Sequence, residues 1–384
     1  MRKQQIAIFG STGSIGTQAL EIISNKPDLF SVEYLTAHKN YRLLAKQANQ
    51  YNPRGLIISG KVDKKKFEGL LNYNPEYIGY GPDELEYIAS EGNYDTLLNS
   101  LVGFAGFMST YVALKNDKRV ALANKESLVV GGKLITGLPG YTNGNLIPVD
   151  SEHSAMLQSL IGEDYSNIQK IIITASGGPF RDYSYEDLKS VKVEDALNHP
   201  NWNMGAKITV DSATMMNKGL EIIEAKWLFN LNADRIVPVI HPQSIIHSIV
   251  EYTDGSSKAQ LGPPDMKVPI LYSLTFPNRI DYPNKTLDYS EVIDMQFKPV
   301  NYELFPCLQL ATESLKSGHF GPAILNAANE IAVERFLNRE IRYIDIPKII
   351  EAALSNIQSN TEMNPEALKE IDIETREYSQ AYLR

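Results

Sequence analysis

The chain has 384 residues, 43% of them hydrophobic and 22% charged, with a formal net charge of −9. This length predicts two or three domains, and the acidic balance argues against a nucleic-acid-binding surface, which needs a basic face. The single cysteine, Cys307, excludes an intrachain disulfide and indicates a reducing compartment. No apolar run reaches the roughly 18 residues of a membrane span, and no targeting segment precedes the first predicted strand. We therefore expect a cytoplasmic protein with neither a membrane nor a nucleic-acid partner.

A strand, a glycine-rich turn and a helix are predicted at the start of the chain. Residues 5–9 are apolar, residues 10–16 read GSTGSIG, and a helical pattern continues to residue 23. Glycines at such a turn let the backbone approach a pyrophosphate, which then lies at the helix N-terminus. The spacing departs from the usual Gly-x-Gly-x-x-Gly, so a plain strand–helix turn is the alternative.

The loop after the second predicted strand, residues 31–36, indicates which dinucleotide is bound. An NAD site has an acidic residue near this point to bind the ribose 2′-hydroxyl. The chain has Ala37, His38, Lys39 and Asn40 instead. A cation and an amide suit a 2′-phosphate and favour NADP, with a solvated loop lysine as the alternative.

Further strands are predicted at residues 55–58, 94–98, 101–102 and 120–123, with helical segments between them. The alternation predicts a Rossmann-like, doubly wound parallel sheet over residues 1–149. Polar residues 124–127 follow the last of these strands, where ligands bind in open α/β sheets.

The sequence changes in character near residue 150. Strands predicted at residues 171–175, 207–210, 237–240 and 245–252 indicate a central α+β catalytic domain with an open sheet, residues 150–274. Residues 275–300 are rich in Pro, Asp and Asn, as in a linker. Four helices predicted over residues 304–316, 322–336, 347–359 and 365–382 make a C-terminal α-helical bundle, residues 301–384.

Acidic residues indicate a metal site. Asp150 and Glu152 follow a predicted strand, and in an extended stretch side chains two apart point the same way. A third carboxylate is available from Glu221 or Glu224 in a predicted helix. Such an oxygen-rich set favours Mg²⁺ or Mn²⁺ over Zn²⁺. Helix N-terminal capping is the alternative for the first pair, and His153 fits a structural histidine better than a ligand.

Donors suited to a phosphate group accumulate in the same domain. A helix predicted over residues 213–225 would place Asn217 and Lys218 on one face with Glu221. Hydroxyl, amide and cationic groups together bind a dianionic phosphate, although each alone is as readily a cap or a surface turn. The candidates are Ser176, Gly177, Gly178, His199, Ser212, Asn217 and Lys218. These residues indicate an NADP- and metal-dependent enzyme for a small phosphorylated substrate; a reductase, a decarboxylating dehydrogenase and an isomerase remain open.

In several blocks the chain resembles the 1-deoxy-D-xylulose 5-phosphate reductoisomerase family. The resemblance covers nearly the whole chain and rests on residues 10–16 (GSTGSIG), 123–127 (ANKES), 148–153 (PVDSEH), 175–180 (ASGGPF), 199–202 (HPNW), 210–221 (VDSATMMNKGLE) and 241–244 (HPQS). It implies an NADP-dependent oxidoreductase that rearranges 1-deoxy-D-xylulose 5-phosphate by retro-aldol cleavage and re-aldolisation and reduces the resulting aldehyde with NADPH. The product is 2-C-methyl-D-erythritol 4-phosphate, a precursor of isoprenoids in the non-mevalonate pathway. A homodimer is also implied.

The resemblance implies a role for each matched residue. A metal, Mg²⁺ or Mn²⁺ with Co²⁺ as a further candidate, would be held by Asp150, Glu152 and Glu221. The residues implied in catalysis are Lys125, Glu152, His199 and Trp202, the last two in a mobile lid over residues 199–204. The residues implied in substrate binding are Lys125, Ser151, Glu152, Ser176, His199, Ser212, Asn217, Lys218 and Glu221. Those implied in cofactor binding are Thr12, Gly13, Ser14, Ile15, Lys39, Asn40, Asn124, Glu126 and Gly205.

One residue departs from the family pattern, and the sequence disfavours two rival functions. His38 stands where the family often has Gly, and a side chain there could alter contacts with the adenosine. A semialdehyde dehydrogenase needs a nucleophilic cysteine, and Cys307 lies in an apolar segment away from any glycine-rich helix start. A non-catalytic nucleotide sensor would need neither three carboxylates nor a lid.

Overall fold

The computed structural model describes residues 2–202 and 204–382. By its internal contacts the chain divides into two compact units: Met1–Ser127, Ile135–Asp150 and Met266–Asn284 form the first, and Leu128–Leu134, Ser151–Asp265 and Lys285–Arg384 form the second. The functional division at residues 149, 274 and 300 stays a prediction. Asn203, inside the predicted lid, lies outside the described residues, as do Met1, Leu383 and Arg384.

The first unit is built on a seven-stranded sheet in which every neighbouring pair is parallel. Its strands are β1 (Gln4–Phe9), β2 (Phe30–Ala37), β3 (Gly55–Ile58), β4 (Tyr77–Tyr80), β5 (Thr96–Asn99), β6 (Arg119–Leu122) and β7 (Leu146–Pro148). The helices of this unit are Ser14–Asn25, Tyr41–Tyr51, Lys64–Glu68, Asp83–Glu91, Phe107–Lys115, Pro139–Thr142 and Lys267–Thr275, with a 3-10 turn at Gly103–Gly106. The Rossmann-like prediction is confirmed.

The strand order β4-β3-β2-β1-β5-β6-β7 places the change of direction between β1 and β5. The chain builds outward from β1 to β4 and then returns to continue on the other side of β1. In open parallel sheets, ligands bind beyond the carboxyl ends of the strands at this switch point. The glycine turn that follows β1 lies there.

A helix far along the chain, after residue 265, contributes apolar side chains to the core of the first unit. Ile6 and Ile8 of β1 belong to a buried cluster that also includes Ile270, Leu271 and Leu274 of helix Lys267–Thr275. This helix packs along helix Ser14–Asn25, and the Lys267 ammonium lies 2.5 Å from the Glu21 carboxylate. The segment after residue 265 thus completes the core of the N-terminal unit.

The second unit has a four-stranded mixed sheet in the order β11-β10-β8-β9. Its strands are β8 (Ile168–Ala175), β9 (Ile236–Ile240), β10 (Ile246–Tyr252) and β11 (Ser257–Leu261); β8 and β9 are parallel, and the other pairs are antiparallel. Its helices are Ser151–Leu160, Tyr185–Leu188, Val193–Ala196, Ala206–Ala213, Met216–Leu228, Pro306–Ser314, Gly321–Leu337, Ile346–Asn356 and Pro365–Ala381, with 3-10 turns at Tyr165–Asn167, Ala233–Arg235 and Tyr343–Asp345. Helix Glu126–Ile135, which carries residues of both units, is kinked at Gly131.

Three local predictions are wrong. Residues 207–210 lie in helix Ala206–Ala213 instead of a strand, and residues 101–102 form no strand because β5 ends at Asn99. The stretch after Asp150 is not extended, since helix Ser151–Leu160 begins at once and places Glu152 in its first turn. Within residues 2–202 and 204–382, we find no helix that combines the length and the apolar character of a membrane span.

Candidate active site

The glycine turn after β1 has the close backbone packing of a dinucleotide site. Gly10 has φ +82°, and a Cβ there would lie 2.7 Å from the Ser100 carbonyl oxygen beyond β5. A Cβ on Gly16 would lie 2.4 Å from the Gly10 carbonyl oxygen. Gly13 is the N-cap residue of helix Ser14–Asn25, so no capping side chain covers the first helical amides. Exposed amides at a helix start attract a phosphate group.

The residues predicted to read the 2′-phosphate lie directly after β2, at the same edge of the sheet. Lys39 and Asn40 are exposed, and the Asn40 side chain accepts a hydrogen bond of 3.3 Å from the Leu43 amide as N-cap of helix Tyr41–Tyr51. His38 Nδ1 lies 3.1 Å from the Ser59 hydroxyl. The lysine is therefore the cation that this loop presents to solvent.

The polar residues after β6 are held firmly. The Asn124 amide is fully buried and donates to the carbonyls of Leu101 and Gly103, each at 2.9 Å. Its Nδ2 also lies 3.1 Å from a Glu126 carboxylate oxygen. The Lys125 ammonium forms an ion pair with Asp150, the residue that follows β7 by two positions.

Two carboxylates of the second unit meet at one lysine. The buried Lys218 ammonium contacts Glu221, one turn along helix Met216–Leu228, and lies 2.8 Å from Glu152 Oε1 of helix Ser151–Leu160. Burial opposes the charged form of Lys218, but the two carboxylates outweigh that effect and raise its pKa. The Asn217 amide also donates to Glu221. In this structure Asn217 and Lys218, which are predicted to bind the substrate phosphate, thus contact carboxylates.

The predicted metal ligands lie close together. One oxygen each from Asp150, Glu152 and Glu221 lies within 4.8 Å of the others, and Asp150 is separated from Glu152 only by Ser151. Glu221 has no exposed surface, and a fully buried carboxylate needs cationic or hydrogen-bonding partners. Three carboxylates are a donor set that fits Mg²⁺ or Mn²⁺.

Glu224, the alternative third ligand, belongs to a second candidate group, in which one ligand atom each from Asp150, His153 and Glu224 lies within 4.8 Å of the others. Its carboxylate is 3.5 Å from His153 Nδ1, and both side chains are fully buried. His153 Nε2 lies 2.9 Å from the main-chain carbonyl of Glu221. This histidine supports the backbone that carries Glu221, as expected of a structural residue.

Three predicted phosphate-binding side chains converge. His199 Nε2 lies 3.0 Å from Ser176 Oγ and 3.1 Å from Ser212 Oγ. Ser176 follows β8, and Ser212 lies in the last turn of helix Ala206–Ala213. Gly178, at φ +63°, allows the approach of these two segments, because a Cβ there would lie 2.7 Å from the Ser212 carbonyl oxygen.

The predicted lid is anchored to the loop between β9 and β10. Asn201, which follows His199 by two residues, donates from its side-chain amide to the Pro242 carbonyl at 2.7 Å and to the Ser244 hydroxyl at 2.8 Å. The Trp202 ring lies 6.5 Å from the ring of His247. Gly205 is the N-cap residue of helix Ala206–Ala213.

Sequence reasoning missed two cationic or titratable residues at the site. The Arg181 guanidinium donates to the Ser176 carbonyl at 3.2 Å. Burial and Arg181 together lower the pKa of His199 to about 4. Burial also lowers the pKa of His247, which Glu152 partly opposes. Their closeness to matched blocks was a signal, but neither spacing nor residue type set them apart.

Comparison with known proteins decides the family. The family model for 1-deoxy-D-xylulose 5-phosphate reductoisomerase matches residues 6–132, and two models for its C-terminal domains match residues 146–229 and 261–378. The chain belongs to the 1-deoxy-D-xylulose 5-phosphate reductoisomerase family.

Relatives in this family match along nearly the whole length. The reductoisomerase of Chloroherpeton thalassium is 49% identical over 375 residues, which are 98% of this chain and 97% of that protein. The reductoisomerase of Phocaeicola vulgatus is 44% identical, with 97% of each chain covered. The solved structure of the Zymomonas mobilis reductoisomerase with NADPH has a TM-score of 0.90 at 40% identity and covers 99% of each chain. A reductoisomerase structure with NADPH, fosmidomycin and magnesium also has a TM-score of 0.90, at 38% identity and 98% coverage of each chain.

Proposed function

We propose that this chain converts 1-deoxy-D-xylulose 5-phosphate to 2-C-methyl-D-erythritol 4-phosphate with NADPH and a divalent metal ion, in isoprenoid precursor biosynthesis. The membership in the reductoisomerase family over nearly the whole length carries the proposal. The rival semialdehyde dehydrogenase finds no support, because burial raises the pKa of the Cys307 thiol to about 12 and leaves almost no thiolate.

The substrate phosphate is assigned to the cluster around His199. Ser176 and Ser212 supply hydroxyl donors, and the neutral imidazole supplies a donor at Nε2. Asn217 and Lys218 lie in the first turn of the next helix, and their side chains complete the phosphate site when substrate binds. Hydrogen bonds to a charged group of this kind are worth about 1.5–3 kcal/mol each.

The metal is assigned to Asp150, Glu152 and Glu221. When bound, Mg²⁺, Mn²⁺ or Co²⁺ polarises substrate oxygens as a Lewis acid and lowers the pKa of a bound hydroxyl. Lys125 beside Asp150, and Lys218 beside Glu152 and Glu221, balance the carboxylate charge. Ser151, whose hydroxyl donates to Glu152 Oε2 at 2.5 Å, orients that carboxylate beside the substrate backbone.

NADPH is assigned to the first unit. The pyrophosphate lies on the start of helix Ser14–Asn25, with Thr12, Gly13, Ser14 and Ile15 around it, and Lys39 with Asn40 holds the 2′-phosphate. Asn124 and Glu126 after β6, and Gly205, complete the cofactor contacts. The close packing of Gly16 on the Gly10 carbonyl, where a Cβ would lie 2.4 Å from the oxygen, supports this assignment.

Residues 199–204 form a lid in this proposal. Trp202 closes over the substrate and excludes water, which protects the intermediate aldehyde. His199 links this lid to the phosphate site, because its ring contacts both. Lys125, Glu152, His199 and Trp202 are the residues that we assign to catalysis.

We further propose a cytoplasmic homodimer. Exposed apolar side chains in residues 285–302 support an interface: Tyr289 is 72% exposed and Val292 91% exposed. Sedimentation equilibrium of the purified protein gives the mass directly, and a monomer at micromolar concentration would contradict this part.

One assay tests the proposed reaction. Purified protein is mixed with 1-deoxy-D-xylulose 5-phosphate, NADPH and Mg²⁺, and NADPH oxidation is followed by absorbance. We expect turnover that stops when a chelator removes the metal, and 2-C-methyl-D-erythritol 4-phosphate as the product. NADPH binding without turnover would favour a nucleotide sensor.

A further inference from the structure

The turn between two helices of the second unit is strained at a functional position. Helix Ala206–Ala213 ends just before this turn and helix Met216–Leu228 begins just after it, with Ser212 and Asn217 on either side. Met215 in the turn has φ +60°, in the left-handed region that side chains other than Gly, Asn and Asp avoid. Such strain persists only where the surrounding structure holds the backbone in place.

Tyr343 holds the first half of the turn. It lies in the 3-10 turn Tyr343–Asp345, is 5% exposed, and donates from its hydroxyl to the Ala213 carbonyl at 2.7 Å. Ala213 is the neighbour of Ser212, so this hydrogen bond fixes the backbone beside the serine. Burial raises the pKa of Tyr343 well above its usual value, which keeps the hydroxyl protonated and able to donate.

The ring of Tyr343 contacts the other phosphate-binding loop. It packs edge-to-face on Phe180, with ring centroids 5.1 Å apart and an interplanar angle of 80°. Phe180 lies four residues after Ser176 in the loop that follows β8, and it is 1% exposed. Aromatic pairs in this arrangement have a preferred geometry and add to the stability of the packing. One side chain therefore contacts both segments that bring a serine to His199.

A second side chain from the same helical region acts on the same helix. The Asn329 amide, from helix Gly321–Leu337, donates to Asp211 Oδ1 at 2.8 Å, and both residues are buried. Asp211 also pairs with Lys207 of its own helix at 2.9 Å. The last turn of helix Ala206–Ala213, which contains Ser212, is thus held by Asn329 at Asp211 and by Tyr343 at Ala213.

We propose that Tyr343 is a positioning residue for phosphate recognition: its hydroxyl fixes Ala213, its ring fixes Phe180, and together they set the separation of Ser176 and Ser212. This inference rests on the proposed function. The spacing matters because both hydroxyls lie at hydrogen-bond distance from one atom, His199 Nε2, and a shift of either by a fraction of an ångström breaks the arrangement. Tyr343 itself makes no contact with the phosphate in this proposal.

Tyr343→Phe removes the hydroxyl and keeps the ring. We expect the KM for 1-deoxy-D-xylulose 5-phosphate to rise on the order of five-fold, as for the loss of one hydrogen bond. The kcat and the KM for NADPH stay within about two-fold of wild type, because the metal and cofactor groups keep their positions. Phe180→Leu, which removes the ring contact and keeps the hydroxyl, should raise the same KM.

Tyr252→Phe is the matched control. Tyr252 is 6% exposed, and its hydroxyl donates to the Ser159 carbonyl at 3.0 Å, so the substitution removes the same type of bond elsewhere in the same unit. A general loss of rigidity would raise the KM in both tyrosine variants and overturn the proposal. An unchanged KM in folded Tyr343→Phe would also overturn it. If Tyr343→Phe does not fold, the outcome for Phe180→Leu decides.

A binding measurement separates this inference from the proposed reaction. Inorganic phosphate should raise the unfolding temperature of the wild-type protein, and Tyr343→Phe should need about five-fold more phosphate for half of the rise. Tyr252→Phe should need the wild-type concentration. Absence of turnover in the wild type together with this phosphate difference would refute the proposed reaction and keep the positioning role. Equal phosphate concentrations in all three proteins would refute the positioning role alone.

Discussion

His199 accepts a hydrogen bond of 2.9 Å at Nδ1 from the backbone amide of Trp202. The backbone amide of Asn201 also donates to this nitrogen, at 3.1 Å. A backbone amide can only donate, so Nδ1 carries no proton, and the neutral ring must carry its proton on Nε2. The backbone of Asn201 and Trp202 thereby selects the tautomer that donates towards Ser176 and Ser212.

This arrangement predicts different effects for two substitutions of His199. In His199→Gln, an amide nitrogen reaches the position of Nε2 and keeps a donor at the cluster. In His199→Asn, the side-chain oxygen replaces Nδ1, and the donor is lost. We expect His199→Asn to raise the KM for 1-deoxy-D-xylulose 5-phosphate about ten-fold or more, and His199→Gln to raise it less. Steady-state kinetics of both variants measures this, and an equal KM would refute the tautomer assignment.

The low pKa of His199 predicts an effect of acid on stability. Below its usual pKa of 6.5 the unfolded chain takes up a proton at this residue, whereas the folded protein resists protonation until about pH 4. The unfolded state therefore binds more protons in this window, and the free energy of unfolding falls as the pH is lowered through it. Urea unfolding at several pH values measures the slope. His199→Gln should make it shallower, and an unaltered slope would count against the assignment.

Substitution of Gly178 and of Gly162 by alanine separates the cost of a positive φ from the cost of a steric clash. Both have positive φ, +63° and +79°, but only a Cβ on Gly178 meets another segment, the Ser212 carbonyl. The left-handed conformation alone costs an alanine about 1–2 kcal/mol, which we expect for Gly162→Ala. Gly178→Ala should lower the free energy of unfolding further and also raise the KM for the phosphorylated substrate. Denaturant unfolding compares the two, and equal losses would contradict the close approach of the two segments.

Glu221 and Glu224 lie on the same helix and give a test of the metal assignment. Glu221→Gln should weaken Mg²⁺ binding by at least about ten-fold, because it removes a charged oxygen ligand. Glu224→Gln keeps all three assigned ligands and should bind Mg²⁺ as the wild type does, although its buried contact with His153 changes. Calorimetric titration with Mg²⁺ measures both affinities. The reverse order would make Glu224 the ligand.

Lys39 predicts the preference between the two nicotinamide cofactors. Lys39→Ala should raise the KM for NADPH about ten-fold and leave that for NADH almost unchanged, because the lysine pairs only with the 2′-phosphate. Lys115→Ala, at another exposed lysine of the same unit, is the control and should change neither. Equal losses for both cofactors in Lys39→Ala would show that the lysine does not read the 2′-phosphate.

Features that depend on neighbouring residues could be predicted from the sequence. The glycine turn and its flanking strand and helix were found because their pattern is local. The carboxylates near residue 150 were singled out by residue type, whereas the extended conformation expected there is a helix. Ile208, Thr209 and Val210 favoured a strand by their β-branched side chains, but tertiary packing places them in a helix. Propensity is a weak guide where an eight-residue helix is buried on one side.

Contacts between distant segments could not be predicted. Tyr343 lies 130 residues after Ala213, and Asn329 lies 118 residues after Asp211. Nothing in the composition of either region indicates such a pairing, since a buried tyrosine and a buried asparagine are common in helical segments. The same limit applies to Arg181 and His247, whose roles follow from what surrounds them.

The return of residues 266–284 to the N-terminal unit has a consequence for biosynthesis. The sheet of this unit is complete once β7 has been made, yet Ile270, Leu271 and Leu274 belong to its buried core. During translation the partly finished unit must therefore expose apolar surface until more than a hundred further residues, Ser151–Asp265, have left the ribosome. Closure of such a long loop slows folding. A nascent chain stalled near residue 260 should bind a chaperone that recognises apolar segments, and one extended past residue 284 and clear of the exit tunnel should release it.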